Sequence, residues 1–283
     1  MTGAASIWAV SRTCSFSKLK RSSAIAVLIL GIAPGQAVAD CADLPSAAPP
    51  PFPVKSVANE RYEPLRGFDR ALRLGIGHLR PAREDDRLQW LHFVLLPLAA
   101  RPGEPRSFWF SGGWVIPAAG ATPRRVGNRG ALETGDQTVS LIVLEQDHAG
   151  WLRIRFAPGE EASSTGWVHV CDLEKVRPRV VYESWERLFA ERALSPLYFR
   201  TGGPRALRRG PQPGEEALAW IPAEGRRYAL EALEFHGDWM FARLTVPFDY
   251  CRMLDAKPVI REGWVRWRDR ELGPLLWYYT RSC

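Results

Sequence analysis

The residues with the clearest chemical potential are His169 and Cys171, two positions apart near the middle of the chain. On a β-strand this spacing puts both side chains on one face, and a histidine beside a cysteine can activate a thiolate nucleophile. No carboxylate that would orient the histidine is evident, however, and Cys171 is predicted to form a disulfide. We therefore expect the pair to be structural rather than catalytic.

Other patterns of catalytic residues are weak. The adjacent acids Glu160–Glu161 and Glu215–Glu216 lie in segments rich in Pro, Gly and Ser, where neighbouring carboxylates are usually solvated. The chain lacks G-x-S-x-G, S-x-x-K and H-E-x-x-H motifs and a glycine-rich phosphate loop. One alternative is a hydrolase or enzyme accessory with a site in residues 55–120. Its cleft would contain three side chains: His78, His92, and Asp85 or Asp86.

Residues 1–39 have the pattern of a secretory leader. A basic patch at 18–21 precedes the apolar run 24–33, and the small residues of "AVA" predict cleavage before Asp40. The apolar run has about ten residues, whereas a membrane span needs about twenty. We therefore predict an exported protein, periplasmic or extracellular, that is not an integral membrane protein after leader cleavage.

The charge balance changes when the leader is removed. The whole chain has 38 Lys and Arg against 31 Asp and Glu. Four of the basic side chains and none of the acidic ones lie in residues 1–39, which leaves 34 against 31, a net charge of +3. The arginines are scattered and form no sustained basic helix, so no nucleic-acid partner is predicted.

Four cysteines remain once Cys14 leaves with the leader, and these are Cys41, Cys171, Cys251 and Cys283. An even number in an exported chain predicts disulfides. Three pairings are possible, of which we favour Cys251 with Cys283 and Cys41 with Cys171. No CxxC or HxxxH spacing supports a zinc site, so neither a metal nor a cofactor is predicted.

The elements that would position a binding site are short alternating segments, each of which begins at a tryptophan: Trp90, Trp151 and Trp239. In all three the aliphatic face starts one residue after the tryptophan, and a one-residue slip would exchange the faces. The less aliphatic faces of the last two segments carry aromatic and arginine side chains. These are the candidate ligand-binding residues: Trp151, Arg153, Arg155, Trp239, Phe241 and Arg243.

Each alternating segment is followed by a Gly-Trp-Val triplet, at residues 113–115, 166–168 and 263–265. The phased pairs indicate an internal repeat of about fifty to eighty residues. Short segments rich in Val, Ile, Phe and Trp between Gly and Pro indicate many strands joined by turns. The exception is residues 182–194, a predicted helix with a stripe formed by Trp185, Leu188, Phe189 and Arg192.

These residues resemble bacterial SH3-like domains. In that family a turn glycine leads into a Val/Leu-rich strand, a Gly/Asp-Trp turn, an alternating strand and a closing Gly-Trp-Val. Here "GDQTVSLIVLEQDHAGWLRIRF" with "GWVHV", and "YALEALEFHGDWMFARL" with "GWVRW", carry the resemblance, while "LQWLHFVLL" with "GGWVIP" fits in part. The resemblance implies an all-β chain of tandem small SH3-like barrels with a short connecting helix.

The predicted organisation has six segments: a signal peptide at 1–39, a Pro-rich tether at 40–55, a divergent SH3-like module at 56–122, a second module at 123–178, a helical connector at 179–195, and a third module with a C-terminal aromatic hairpin at 196–283. Trp167 and Trp264 are expected to cover barrel ends. We expect a non-catalytic binding protein whose partner is a cell-wall peptide or glycan, or an envelope protein.

Overall fold

The structure is a computed structural model. It describes residues 65–69, 71–87, 90–118, 121–127, 129–135, 138–191, 196–200, 205–222, 228–246 and 259–279, all of which belong to one compact unit, Ala37–Cys283. The predicted leader, the predicted tether, and Cys41, Cys251 and Cys283 lie outside the described residues, so the statements about them stay predictions.

Strands dominate the described residues, which confirms the all-β class. In chain order the strands are β1 Gly77–Pro81, β2 Leu96–Leu98, β3 Phe108–Ser111, β4 Trp114–Pro117, β5 Arg124–Arg125, β6 Ala131–Gly135, β7 Thr138–Gln146, β8 Trp151–Arg155, β9 Thr165–His169, β10 Val180–Ser184, β11 Tyr198–Phe199, β12 Arg205–Arg208, β13 Ala217–Ile221, β14 Ala229–His236, β15 Trp239–Thr245, β16 Val259–Arg266, β17 Arg268–Asp269, β18 Gly273–Pro274 and β19 Leu276–Trp277. The helices are α1 Trp90–Phe93, α2 Val170–Lys175 and α3 Trp185–Glu191, with a 3₁₀ turn at Glu84–Asp86.

The central sheet has the antiparallel order β10-β1-β7-β8-β9, and β6 also pairs with β7. Its strands come from three predicted segments, because β1 lies in residues 56–122, β7 to β9 lie in 123–178, and β10 lies in 179–195. The boundaries of this sheet therefore differ from the predicted module boundaries. The reason is long-range pairing, in which Leu79 of β1 lies opposite both Leu141 of β7 and Tyr182 of β10.

Strand β7 is buried on both faces. Leu141 and Val143 belong to the core cluster shared with the front sheet, whereas Ile142 and Leu144 belong to the cluster shared with α3 and the carboxyl-terminal sheet. A strand with two buried faces is expected to be continuously apolar rather than alternating, which accounts for "LIVL" at these positions. The two cores therefore meet at one strand.

The front sheet, β2-β3-β4-β5, covers one face of the central sheet. The two sheets are joined where Ala99 and Trp167 exchange backbone hydrogen bonds of 2.8 and 2.9 Å. Gly166 lies at this crossing, and a Cβ there would be 2.9 Å from Phe108 Cζ. The glycine of this Gly-Trp-Val triplet thus allows close approach of the front sheet.

The predicted strand at Trp90 is wrong, because this tryptophan begins helix α1. Trp90, Leu91 and Val94 are all buried, a spacing that a helical turn satisfies, while Phe93, expected inside, is 66% exposed. The helical turn also lets Trp90 Nε1 donate to Val139 O at 2.7 Å. Core packing and this bond therefore override the apparent alternation.

The carboxyl-terminal sheet has the order β13-β12-β16-β15-β14. Met240, Ala242 and Leu244 of β15 point into the core, in the phase predicted from Trp239. Helix α3 packs on the same core through Trp185, Leu188 and Phe189, as its stripe predicts. The helix is shorter than predicted, because residues 182–184 belong to β10 and pair with β1.

The chain's aromatic end does not fold back on the third predicted module alone. Tyr278 and Trp277 are each 1% exposed, and the Tyr278 hydroxyl donates to Thr134 O of β6 at 2.9 Å. Strand β19 pairs with β11, and Trp277 packs edge-on against Trp185 at 5.3 Å between centroids. The aromatic hairpin is therefore part of the core that joins the two larger sheets.

The guanidinium of Arg200 links the beginning of the described chain to its end by hydrogen bonds. Arg200, which is 3% exposed, donates to Pro274 O at 2.6 Å, to Asp69 O at 2.6 Å and to Leu72 O at 2.7 Å.

Among the described residues, no helix combines the length and the apolar character that a membrane crossing requires.

Candidate ligand-binding face

The tryptophan predicted to contact a ligand in the central sheet is buried. Trp151 is 4% exposed and lies between the His169 ring, with 5.2 Å between centroids, and the Arg106 guanidinium, 5.1 Å from the indole centroid. Arg106 is held in place by two hydrogen bonds to Asp172, of 2.8 and 3.1 Å. Trp151 therefore seals the end of the core and offers no surface to a ligand, which corrects the prediction.

The two arginines beside it bind the chain itself. Arg155 is 3% exposed, and its guanidinium donates to Arg73 O at 3.0 Å. Burial lowers the pKa of Arg155 to about 10, because the Glu160 carboxylate only partly offsets the lost hydration. Arg153 is half-buried and pairs with Glu145 at 2.8 Å. This half of the predicted surface is structural.

The predicted histidine–cysteine pair caps helix α2. His169 Nδ1 accepts a hydrogen bond from the Cys171 N–H at 3.2 Å, which leaves the proton on Nε2, and Nε2 donates to Ala149 O at 2.8 Å. Cys171 is disulfide-bonded, and its partner lies outside the described residues. The pair is therefore occupied by structural bonds.

A buried ion pair lies where the central sheet packs against α3. His78 and Glu183 face each other across β1 and β10, and His78 Nε2 donates to the Glu183 carboxylate at 2.9 Å. Arg80 donates to the same carboxylate at 2.9 and 3.0 Å. Burial acts to raise the pKa of Glu183, but the bonds from His78 and Arg80 outweigh it and lower the pKa to about 2. The His78 ring stacks on Trp185, with 4.8 Å between centroids.

The other residues of the proposed hydrolase site are elsewhere. His92 lies on α1, which packs on the opposite face of the central sheet, and burial lowers its pKa. Asp85 lies in the 3₁₀ turn with its side chain 86% exposed. The pocket of about 190 Å³ beside His78 and Glu183 is lined by neither of these residues nor by Asp86. The structure does not bring the predicted hydrolase residues together.

Trp239, Phe241 and Arg243 lie on the outer face, the name used here for the face of the carboxyl-terminal sheet opposite to Met240, Ala242 and Leu244. All three are half-buried, and their alternation with the buried residues of β15 follows the predicted phase. This half of the predicted surface is therefore open at one side to solvent.

Three aromatic residues extend the outer face beyond the predicted set. The Trp264 ring lies 5.4 Å from Phe241 and 6.4 Å from His236, measured between centroids. Trp220 on the edge strand β13 is 64% exposed. Their alternation along short strands was readable from the sequence, but the order β13-β12-β16-β15 that places them side by side was not.

The two ends of the outer face differ in charge. Arg243 bonds to Glu262 at 2.9 Å and lies 3.5 Å from Glu231, and the bond to Glu262 raises the pKa of the guanidinium. Arg243 is therefore neutralised by carboxylates rather than available for an acidic ligand. At the other end, around Trp239, arginines predominate.

These arginines line a cleft of about 510 Å³, which we call the arginine cleft. Its main lining residues are Arg205, Arg208, Arg266, Arg270, Trp220 and Trp239. Asp238 also lines it, but that carboxylate is held by two hydrogen bonds of 2.9 and 3.0 Å from Arg268, which does not line it. An open cleft with an exposed indole and an excess of guanidinium groups is suited to binding rather than to proton transfer.

Within the described ranges, no cluster of three or more His, Cys, Asp or Glu side chains is arranged to hold a metal ion. In each of the two acidic pairs of the sequence, one carboxylate forms an ion pair with an arginine. Glu160 pairs with Arg73 at 2.8 Å, and Glu216 pairs with Arg209 at 2.7 Å. Neither pair of adjacent carboxylates forms a shared site.

No protein-family model matches the chain, and no curated protein matches it. A solved structure that matches is NlpC2 from Trichomonas vaginalis, with a TM-score of 0.21 and 11% sequence identity, over 73% of this chain and 49% of that chain. The chain thus spans about half the length of that protein. A likeness at this level shows neither fold nor function, which are therefore inferred from the geometry described above.

Proposed function

We propose that the protein is a non-catalytic, extracytoplasmic binding protein that holds a cell-wall glycan or its peptide on the outer face. The observation that carries the proposal is the aromatic row of that face, in which Trp220 is 64% exposed and Trp239 lines an open cleft. Indole rings supply large apolar area at low conformational cost and stack on the faces of ring-shaped ligands. The leader-like residues 1–39 and the resemblance to SH3-like modules support an envelope location for this binding.

Other tryptophans of the same chain are buried and structural, and Trp220 differs from them. Trp151, Trp185 and Trp277 are at most 4% exposed and fill the core. Trp220 has no such role, because its side chain projects from an edge strand into solvent. Trp220 and Trp239 line the same open cleft, and exposed aromatic side chains that are grouped in this way mark a binding site.

The test is retention of the purified protein on purified cell wall. The wild type is expected to be retained, and Trp220→Ala is expected to weaken retention about tenfold or more, since truncation of an aromatic anchor typically costs about 2 kcal/mol. Trp239→Ala is expected to act in the same direction. The matched control is Phe93→Ala, which removes a ring that is 66% exposed on α1 and should leave retention unchanged.

Two results would contradict the proposal. The first is a wild type that is not retained by cell wall, and the second is retention that both tryptophan variants leave intact. If the folded wild type fails on cell wall but binds one envelope protein through Trp220, the envelope-protein alternative replaces the glycan. Circular dichroism of each variant separates loss of binding from loss of fold.

A further inference from the structure

The arginine cleft carries more positive charge than its own carboxylates balance. Four arginines and one aspartate line it, so guanidinium groups outnumber carboxylates among its lining residues. Asp238 is already bound by Arg268, and the nearby Asp269 pairs with Arg266 at 3.1 Å. Hydrogen bonds from the N–H groups of residues 271 and 272 lower the pKa of Asp269, so it stays ionised near neutral pH.

Arg270 adds a charge that no described residue balances. Its side chain is exposed at the turn between β17 and β18, and in the part of the chain that the structure describes it has no ion pair or hydrogen bond. Arg208 is oriented by its own chain, since its guanidinium donates to Glu215 O at 2.6 Å. A guanidinium held by one bond keeps further N–H groups for an external acceptor.

The register of the sheet sets the dimensions of the cleft. Trp220 lies opposite Ala206 on β12, Arg208 lies opposite Trp264 on β16, and Trp239 lies opposite Arg266. These residues lie on four neighbouring strands of the carboxyl-terminal sheet, which span about 14 Å at the usual strand spacing.

We propose that the arginine cleft binds an acidic sugar of the wall glycan. The ring of the sugar lies on the indoles of Trp220 or Trp239, and its carboxylate or phosphate is held by the guanidinium groups of Arg208 and Arg270. Arginine suits this role because its planar fork donates two parallel bonds to either oxyanion. The small Ala206 side chain leaves space for the ligand between the two indoles. This inference rests on the proposed function and adds the chemical class of the ligand.

The experiment measures affinity for three soluble polymers by calorimetry: a uronic-acid polysaccharide, the same polysaccharide with its carboxylates methyl-esterified, and a polymer of sugar phosphates. We expect binding to at least one acidic polymer, about tenfold or greater loss on esterification if the carboxylate is the ligand group, and weakening as salt rises. A preference for the sugar-phosphate polymer identifies phosphate as the group recognised.

The variants are chosen so that folding is not in question. Arg270→Gln and Arg270→Glu alter an exposed side chain, and are expected to weaken acidic-polymer binding about tenfold and more than tenfold, respectively. The matched control is Arg101→Gln, since Arg101 is 82% exposed in the front-sheet loop and lies outside the cleft. Equal effects of Arg270→Gln and Arg101→Gln would overturn the proposal.

The failure of this inference can be told apart from failure of the proposed function. If the wild type binds the acidic and esterified polysaccharides equally well, and Trp220→Ala weakens both, the outer face binds glycan but the cleft does not select acid. If the wild type is not retained by purified cell wall at all, the proposed function fails first, and the inference fails with it.

Discussion

At the scale of single residues, the main electrostatic feature is a carboxylate kept ionised inside the protein. Glu183 has a side-chain exposure of 3% yet accepts hydrogen bonds from His78 and Arg80. A buried charge with one partner removed typically costs about 3–5 kcal/mol, since the remaining charge is left uncompensated. These hydrogen bonds therefore hold β10 against β1, and the pH dependence of the stability that they provide can be measured.

The pKa of Glu183 falls from 4.5 to about 2 on folding, so its contribution to stability is complete above pH 4.5 and is lost as the pH drops through about 2. We expect Glu183→Gln to lower the free energy of unfolding by about 3 kcal/mol at pH 7, with the difference from wild type shrinking toward pH 2. Urea unfolding from pH 7 down to pH 2 measures it. Glu191→Gln, whose carboxylate is 52% exposed, should cost less than about 1 kcal/mol. A difference between wild type and Glu183→Gln that is independent of pH would contradict the assignment.

At the scale of elements, local period predicted burial well for β15, in which buried and half-buried residues alternate after Trp239. In β8 the aliphatic residues are buried as predicted, but Trp151 and Arg155 on the other face are buried as well. The prediction of a strand at Trp90 is wrong because a segment of four residues fits a helical turn and an alternating strand almost equally well. Core packing, together with the hydrogen bond from Trp90 Nε1 to Val139 O, selects the helix.

The fate of the candidate site residues shows a second limit. Trp151 and Arg155 lie on the less aliphatic face of their strand, as predicted, yet that face is covered by Arg106 and by the segment around Arg73. The alternation predicts which residues share a face of the strand, but it does not predict which other segments of the chain pack on that face. The equivalent face around Trp239 stays open, and no local pattern distinguished the two.

Two glycine turns offer a matched test of close packing between elements. Gly273 has φ +79°, and a Cβ there would lie 2.4 Å from Gly75 O, whereas Gly103 has φ +78° with nothing within 4 Å. Both substitutions by alanine carry the backbone cost of about 1–2 kcal/mol for this region. We expect Gly273→Ala to cost at least about 2 kcal/mol more than Gly103→Ala because of the added backbone clash. Thermal or urea unfolding of both variants checks this, and equal losses would refute the close contact.

At the scale of the whole molecule, the two core clusters meet at one strand, β7, so the described sheets do not pack as separate units. The sequence predicts the all-β class from composition and turns, but not that β7 and β10 flank β1, since those pairings join residues about sixty and one hundred positions apart. Such partners are chosen by global packing rather than by local propensity. The predicted module boundaries followed the local pattern and so missed this sharing.

A shared strand predicts one cooperative unfolding transition. Leu141 and Leu144 lie three residues apart on β7, are at most 1% exposed, and belong to different core clusters. We expect Leu141→Ala and Leu144→Ala each to cost about 2–5 kcal/mol, and each to shift the whole transition rather than a part of it. Urea unfolding followed by fluorescence and by circular dichroism tests this, because independent barrels would give two transitions, with each variant moving only one.

The backbone bond from the Leu74 N–H to Leu272 O, at 2.8 Å, has a consequence for synthesis. Its two ends are separated by most of the described chain, so the contact order is high and loop closure is costly. A nascent chain that has not yet reached residue 278 lacks the aromatic side chains that complete the core around Trp185. Folding to the native state thus waits until residue 278 has been synthesised, and a product terminated before it would expose apolar surface to chaperones and proteases.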